Sequence, residues 1–255
     1  VSGFQKCETP HTDPPRWQGK ATTLEWLRPQ IHTSHIPIGV SFDLKHWHEQ
    51  PEAVLKLIES RISSRTLIVR SDRCDEDTPI ASNAGRYRSC LDIRRGEREA
   101  LAEAIDNVFA SYHGVRGADR VLVQQQIEPV RHASVALTHA LPDGAHYYVI
   151  SIARGPRSDG VTCGADNVET WYLARDNPRR ELLPETSRGY FDALREIESL
   201  TGASPCEVEL ATDKSGTIWL LQARPLVVRS CDGRATIALR KKVEAELAAL
   251  SHAPP

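Results

Sequence analysis

Glu207-Val208-Glu209-Leu210-Ala211 is followed, across the turn Lys214-Ser215-Gly216, by Ile218-Trp219-Leu220-Leu221-Gln222-Ala223-Arg224-Pro225. Polar and apolar residues alternate from Glu207 to Leu210 and from Leu221 to Arg224, so the segment reads as a hairpin of two strands. A period of two puts Glu207 and Glu209 on one face of the first strand, and Gln222 and Arg224 on one face of its partner. Two carboxylates, an amide oxygen and a guanidinium on neighbouring strands can together hold Mg2+ and a polyphosphate. A solvated face of paired charges has the same pattern, so the hairpin alone leaves its chemistry open.

Three stretches upstream carry matching chemistry. Arg65 to Arg70 is a compact strand that delivers Arg70 at its end, within Val69-Arg70-Ser71-Asp72-Arg73. A polar loop follows and runs through Ser82-Asn83-Ala84-Gly85-Arg86-Tyr87. Backbone amides of such a loop can cradle phosphate oxygens while Arg70 neutralises charge. Nearer the start, Gly19-Lys20-Ala21 opens a helix, where N–H groups and an ammonium point the same way. The GxxxxGK[ST] spacing of a Walker loop is absent. Val121 to Ile127 is an apolar strand ending in Gln124, Gln125 and Gln126, amides suited to reading the edge of a nucleobase. An ordinary edge strand would look the same.

Periodicity orders these pieces into an α+β chain. Helices are expected over 19–29, 52–62, 95–112 and around 194–200, and strands over 36–44, 65–70, 87–93, 121–127, 133–139, 147–153 and 171–174. The hairpin spans 206–222, and a charged amphipathic helix is expected over 234–250. The expected organisation is a leader at 1–17, an N-terminal lobe at 18–117, a second lobe at 118–229 and a C-terminal helix and tail at 230–255. The hinge between lobes is expected near 115–130.

Composition narrows the function classes. With 255 residues, 40% hydrophobic and 26% charged, the chain can bury a sizeable core. A net charge of -2 argues against a general nucleic-acid binder, which carries a basic surplus. The longest apolar run, Tyr147 to Ala153, is far short of the ~20 residues of a membrane-spanning helix. The six cysteines are widely spaced, without a CxxC pair, as thiols in a reducing cytoplasm are. No membrane or nucleic-acid partner is expected, and the expected location is cytoplasmic.

Taken in order, the motifs resemble the ATP-binding N-terminal domain of phosphoenolpyruvate synthase, pyruvate phosphate dikinase and rifampin phosphotransferase, an ATP-grasp fold. The spacing from Val69 to Ile93 matches that family's VRSSA-x2-ED-x4-S-x-AG-x-Y pattern, and Leu220 to Pro225 (LLQARP) is nearly the family's own. His35 to Phe42 is similar to its P-x-PPGFVVT strand. The resemblance covers about Gly19 to Val227. It implies two lobes with mixed or antiparallel sheets and flanking helices, and a nucleotide in the cleft between them.

The resemblance also implies roles. Lys20 and Arg70 would contact ATP phosphates, and Ser82, Ala84 and Gly85 would lie in the loop over the β- and γ-phosphates. Gln124, Gln126 and Ile127 would border the adenine. Glu209 and Gln222 would hold Mg2+, Glu207 stands where the family usually has Asp, and Arg224 would clamp the transferring phosphoryl group. The implied activity is an ATP- and Mg2+-dependent phosphotransfer to a His or to a small molecule. None of the ten His residues lies in the family's phosphohistidine motif, so an acceptor His is expected on a separate chain.

Several departures are visible. Asp72-Arg73 replaces the small pair after Val-Arg-Ser. Ser151 and Ser158 stand where the family has acids. These changes keep two alternatives in view, a module that binds ATP or AMP without turnover, and an ATP-grasp ligase.

Overall fold

The computed structural model describes residues 17, 19–73, 88–112, 114, 119–141, 144–155, 161, 168–175, 178–228 and 241. Ser82, Ala84, Gly85 and Ser158, the leader up to residue 16 and the expected C-terminal helix (all but residue 241) lie outside them.

Alternating apolar positions build the first sheet. Its strands are β1 (Gly39–Asp43), β2 (Thr66–Asp72), β3 (Ser89–Arg94) and β4 (Arg120–Gln125), in the order β1-β4-β2-β3 with every pairing antiparallel. Val40, Phe42, Leu67, Val69, Val121 and Val123 point to one face. There they meet Val54, Leu55 and Ile58 of α3 (Pro51–Arg61) and Leu101, Ile105, Val108 and Phe109 of α4 (Arg98–Ala110). A short helix, α2 (Leu44–Glu49), precedes α3. Its signal in the sequence is Asp43, whose side chain accepts from His46 N at 2.8 Å as an N-cap. The opposite face of the sheet is left with Ser41, Arg70, Asp72, Leu122 and Gln124.

The second sheet holds β5 (Val130–Leu137), β6 (Tyr147–Arg154), β7 (Val168–Ala174), β8 (Cys206–Asp213) and β9 (Ile218–Pro225). Its order is β7-β6-β5-β8-β9, again antiparallel throughout. One face packs on α5 (Glu185–Leu200) through Tyr190, Phe191, Leu194 and Ile197, and on α1 (Lys20–Leu27) through Ala21, Leu24 and Leu27. The register lines up Thr170, Ser151, Val135, Glu209 and Gln222 in one row across the other face. The next row is Tyr172, Val149, Leu137, Glu207 and Arg224.

Three features differ from those the periodicity suggests. The second lobe does not open at 118, because β4 pairs with β1 and β2 and its valines complete the first core. The chain crosses between sheets at 126–129. Nor does α1 belong to the lobe that contains 39–112, since its apolar face fills the second core. Helix α5 also begins well before 194. Ser187 and Gly189 in its early turns dilute the apolar stripe that marks its later half.

A polar network closes the far end of the second sheet. Glu198, 5% exposed, accepts from Tyr148 Oη at 2.7 Å and from the Arg175 guanidinium, which lies 4.4 Å over the Tyr148 ring. His139 is buried beside it, with Nδ1 3.1 Å from Thr138 Oγ1. Among the described residues no helix is long and apolar enough to cross a membrane.

Burial, with the charges of Arg175 and His146 working against the opposing pull of Glu198, lowers the His139 pKa to about 4. The unfolded chain therefore binds the proton more readily, and stability falls as pH drops from about 6.5 towards 4. Urea titrations across that range are expected to show a shallower acid loss for His139→Phe than for wild type. Leu194, fully buried on α5, should cost about 2–5 kcal/mol as Leu194→Ala in the same assay.

Candidate functional site

Arg70 leaves β2 on the face away from the first core, and its guanidinium crosses to the second sheet. Nη1 donates to Leu221 O at 2.9 Å, and Nη2 donates to Gln222 Oε1 at 2.9 Å. Nη2 is also 3.4 Å from Glu209 Oε2. A register shift makes the backbone acceptor reachable. Glu209 pairs with Gln222 and Leu210 with Leu220, so the ladder passes over Leu221. The bulge also places Leu221 and Gln222 on the same face, while Leu220 and Ala223 remain in the α1 and α5 core.

One row further along, Glu207 and Arg224 pair across the hairpin. Arg224 Nε donates to Glu207 Oε1 at 3.1 Å and Nη2 donates to the same oxygen. Burial pushes the Glu207 carboxyl pKa up and the Glu209 charge adds to this, while Arg224 opposes both. Lys20, the first residue of α1, is buried and donates from Nζ to Ser71 Oγ at 3.4 Å. The two upstream cations thus converge on the same end of β2.

Glu209 and Gln222 bring a carboxylate oxygen and an amide oxygen to one point in the cleft. Their oxygens approach one guanidinium nitrogen from two strands, so a positive charge already occupies the point between them. Both are hard oxygen donors, and Mg2+ is commonly held by one or two protein oxygens with water and phosphate completing the shell. No group of three or more His, Cys, Asp or Glu side chains suited to a metal occurs among the described residues. Ser151 lies in the same row, separated from Glu209 by Val135, with Oγ 3.0 Å from Thr170 Oγ1. It brings a hydroxyl where the resemblance implies an acid.

At the crossing, a cavity of about 750 Å3 is lined by residues that include Thr66, Asp92, Gln126, Ile127, Glu128 and Trp219. Its size suits a small ligand. Thr66 and Arg70 are four residues apart on one strand, so their Cα atoms are separated by roughly 13 Å. Ile127 packs with Val130, Ala211 and Leu221, giving the cavity an apolar neighbour. Gln124 and Gln126 are engaged within the chain. Gln124 Nε2 lies 3.4 Å from Pro37 O. Gln126 clasps Asp92, its Oε1 accepting from Asp92 N at 2.7 Å and its Nε2 donating to Oδ1 at 2.6 Å. Asp92 is an extra residue on β3 at φ 62, so the clasp holds a bulge beside the crossing. Trp219, Asp92 and the Leu221 carbonyl are absent from the sequence-derived site. Apolar alternation marks none of them, and the bulge at Leu221 has no signature in residue type.

The fold has a counterpart among solved structures. That of a D-alanine-D-alanine ligase from Coxiella burnetii matches with a TM-score of 0.50 at 10% identity, over 82% of this chain and 48% of the ligase. The fold is ATP-grasp-like. An L-amino acid ligase from Bacillus licheniformis has 19% identity and a TM-score of 0.46, over 82% of this chain and 43% of that one. The chain spans about half the length of the Coxiella ligase and less of the Bacillus one. At these identities the likeness is one of fold. No protein family matches the sequence, and no curated protein does.

Loss of the Arg70 guanidinium removes charge-assisted bonds between the two sheets. Arg70→Ala is expected to lower stability by about 2–3 kcal/mol, read from the urea midpoint at unchanged slope.

Proposed function

We propose that the cleft between the sheets binds MgATP and passes a phosphoryl group from it to an acceptor. The observation that carries this reading is the meeting of Arg70 with Glu209 Oε2, Gln222 Oε1 and Leu221 O, with Lys20 held against the next residue of the same strand. Phosphoryl transfer asks for positioning and charge neutralisation more than for covalent help.

Bound MgATP would supply the electrophilic phosphorus. Lys20 and Arg70 neutralise the phosphates from the first sheet's side, and Arg224, oriented by Glu207, does so from the second. Glu209 and Gln222 hold the cation. Ile127 and the crossing strand with Gln124 and Gln126 border the base, the latter two through the backbone they fix. For the acceptor, the ordered motifs favour the dikinase type, in which a His of a separate chain or a small molecule takes the phosphoryl group.

A second reading, an ATP-grasp ligase, is favoured by the fold likeness to the D-alanine-D-alanine ligase. Both use the same nucleotide site and differ in the bond broken. Attack at the β-phosphorus carries off the two outer phosphates and releases AMP, whereas attack at the γ-phosphorus releases ADP. Nucleotide chromatography separates them, with AMP expected for the dikinase type and ADP for the ligase. Binding without either product would leave a nucleotide-binding module.

Thermal unfolding with and without MgATP tests the site itself. Ligand at about a hundred times its dissociation constant should add roughly 2.7 kcal/mol, a rise of about 5–11 °C for a chain of this size. At the same ligand concentration the rise should shrink to a small fraction in Lys20→Ala. Where turnover is measurable, Lys20→Ala, Arg70→Ala and Arg224→Ala should each reduce it by orders of magnitude. Wild-type turnover in all three would overturn the assignment.

A further inference from the structure

Asp72 stands two residues after Arg70, where a carboxylate would repel a polyphosphate if it faced one. It is 2% exposed, and both of its oxygens have partners. Oδ1 accepts from Ala21 N at 3.0 Å. Oδ2 accepts from Ser41 Oγ at 2.7 Å and lies 3.6 Å from Arg120 Nε. The Asp72 N–H is 3.3 Å from Tyr112 Oη, which itself donates to Arg120 O at 2.6 Å.

The contact with Ala21 supplies what α1 lacks. The first N–H groups of a helix have no partner within it, and a side chain just ahead commonly fills that need. Here the N-cap is Gly19, the helix's own sequence provides no side-chain cap, and no acidic residue lies in its first turn. The cap comes instead from a strand of the opposite sheet, more than fifty positions along the chain. Gly19 makes the approach possible. It sits at φ 114, and a Cβ there would come 2.9 Å from Asp72 Oδ1. Between Gly19 and Ala21 lies Lys20.

We propose that Asp72 is a positioning residue for nucleotide binding. By capping α1 from the first sheet, it fixes Lys20 relative to Arg70 and so sets the spacing of the two cations that face the phosphates. The inference rests on the MgATP reading of the cleft. Asp72 itself does not touch the nucleotide. Its charge is answered by the helix N-terminus and by Arg120, so it does not oppose the phosphates.

Calorimetric titration of the full chain with MgATP tests this, using wild type, Asp72→Ala, Asp72→Asn, Lys20→Ala and the double variant Asp72→Ala/Lys20→Ala. Asp72→Ala should weaken binding about five- to tenfold. Asp72→Asn keeps an acceptor for the Ala21 N–H and should bind within about twofold of wild type. In the Lys20→Ala background, Asp72→Ala should change affinity no further, because its effect passes through Lys20. A general structural loss would weaken binding in both backgrounds alike and would overturn the proposal. So would an Asp72→Asn loss equal to that of Asp72→Ala. If Asp72→Ala does not fold, Gly19→Ala displaces the carboxylate with its charge retained, and wild-type affinity there is overturning. Wild type that fails to bind MgATP overturns the cleft reading and this inference together. Wild type and Asp72→Ala binding equally overturns this inference alone.

Discussion

One guanidinium bridges the two sheets. Arg70 belongs to the first sheet by its backbone and to the second by its side chain, where it satisfies a carboxylate, an amide oxygen and a carbonyl passed over by the β8–β9 ladder. Each of these acceptors lies in a largely buried setting, where an unanswered polar group is costly. The same three oxygens are what a divalent cation or a phosphate-bound cation would require. On the MgATP reading, interlobe stability and nucleotide chemistry therefore draw on one set of atoms. A ligand entering the cleft has to replace the interactions that Arg70 makes, and its own cation and phosphates carry the complementary charges to do so.

Much of the fold was legible from alternation. The β8–β9 hairpin, β2 with Arg70 at its cleft face, β4, β5 and β6 all declare themselves by apolar residues at every second position, and α3 and α4 by a helical stripe. The partnership of strands was less legible. Val121 and Val123 are equally good core residues for either sheet, so nothing local says that β4 closes the first. Likewise Ala21, Leu24 and Leu27 show that α1 has an apolar face without showing which sheet receives it.

The site divides in the same way. Glu207, Glu209, Gln222 and Arg224 could be placed on one surface because a hairpin fixes its own register. Strict alternation nevertheless groups Leu220 with Gln222 and Arg224, and the structure separates them. The extra residue Leu221 lets Leu220 stay in the core while the polar pair turns to the cleft. Asp72 was visible only as a departure. Its meaning depends on a helix start brought beside it by tertiary packing, which spacing along the chain does not encode. Gln126 shows the reverse case, an amide whose type suits base recognition and whose hydrogen bonds go to the bulged Asp92.

The position of α1 has a consequence for how the molecule assembles. Residues near 20 close a core whose other walls come largely from residues between 122 and 223. During synthesis this helix emerges early and must wait, its apolar face uncovered, until β8 and β9 have been made. The first sheet takes all its strands from 39 to 125, but the second core is incomplete without a segment that left the ribosome long before. Such distant closure makes for slow folding. It also means that cutting the chain at the 126–129 crossing would yield a second half missing part of its own interior.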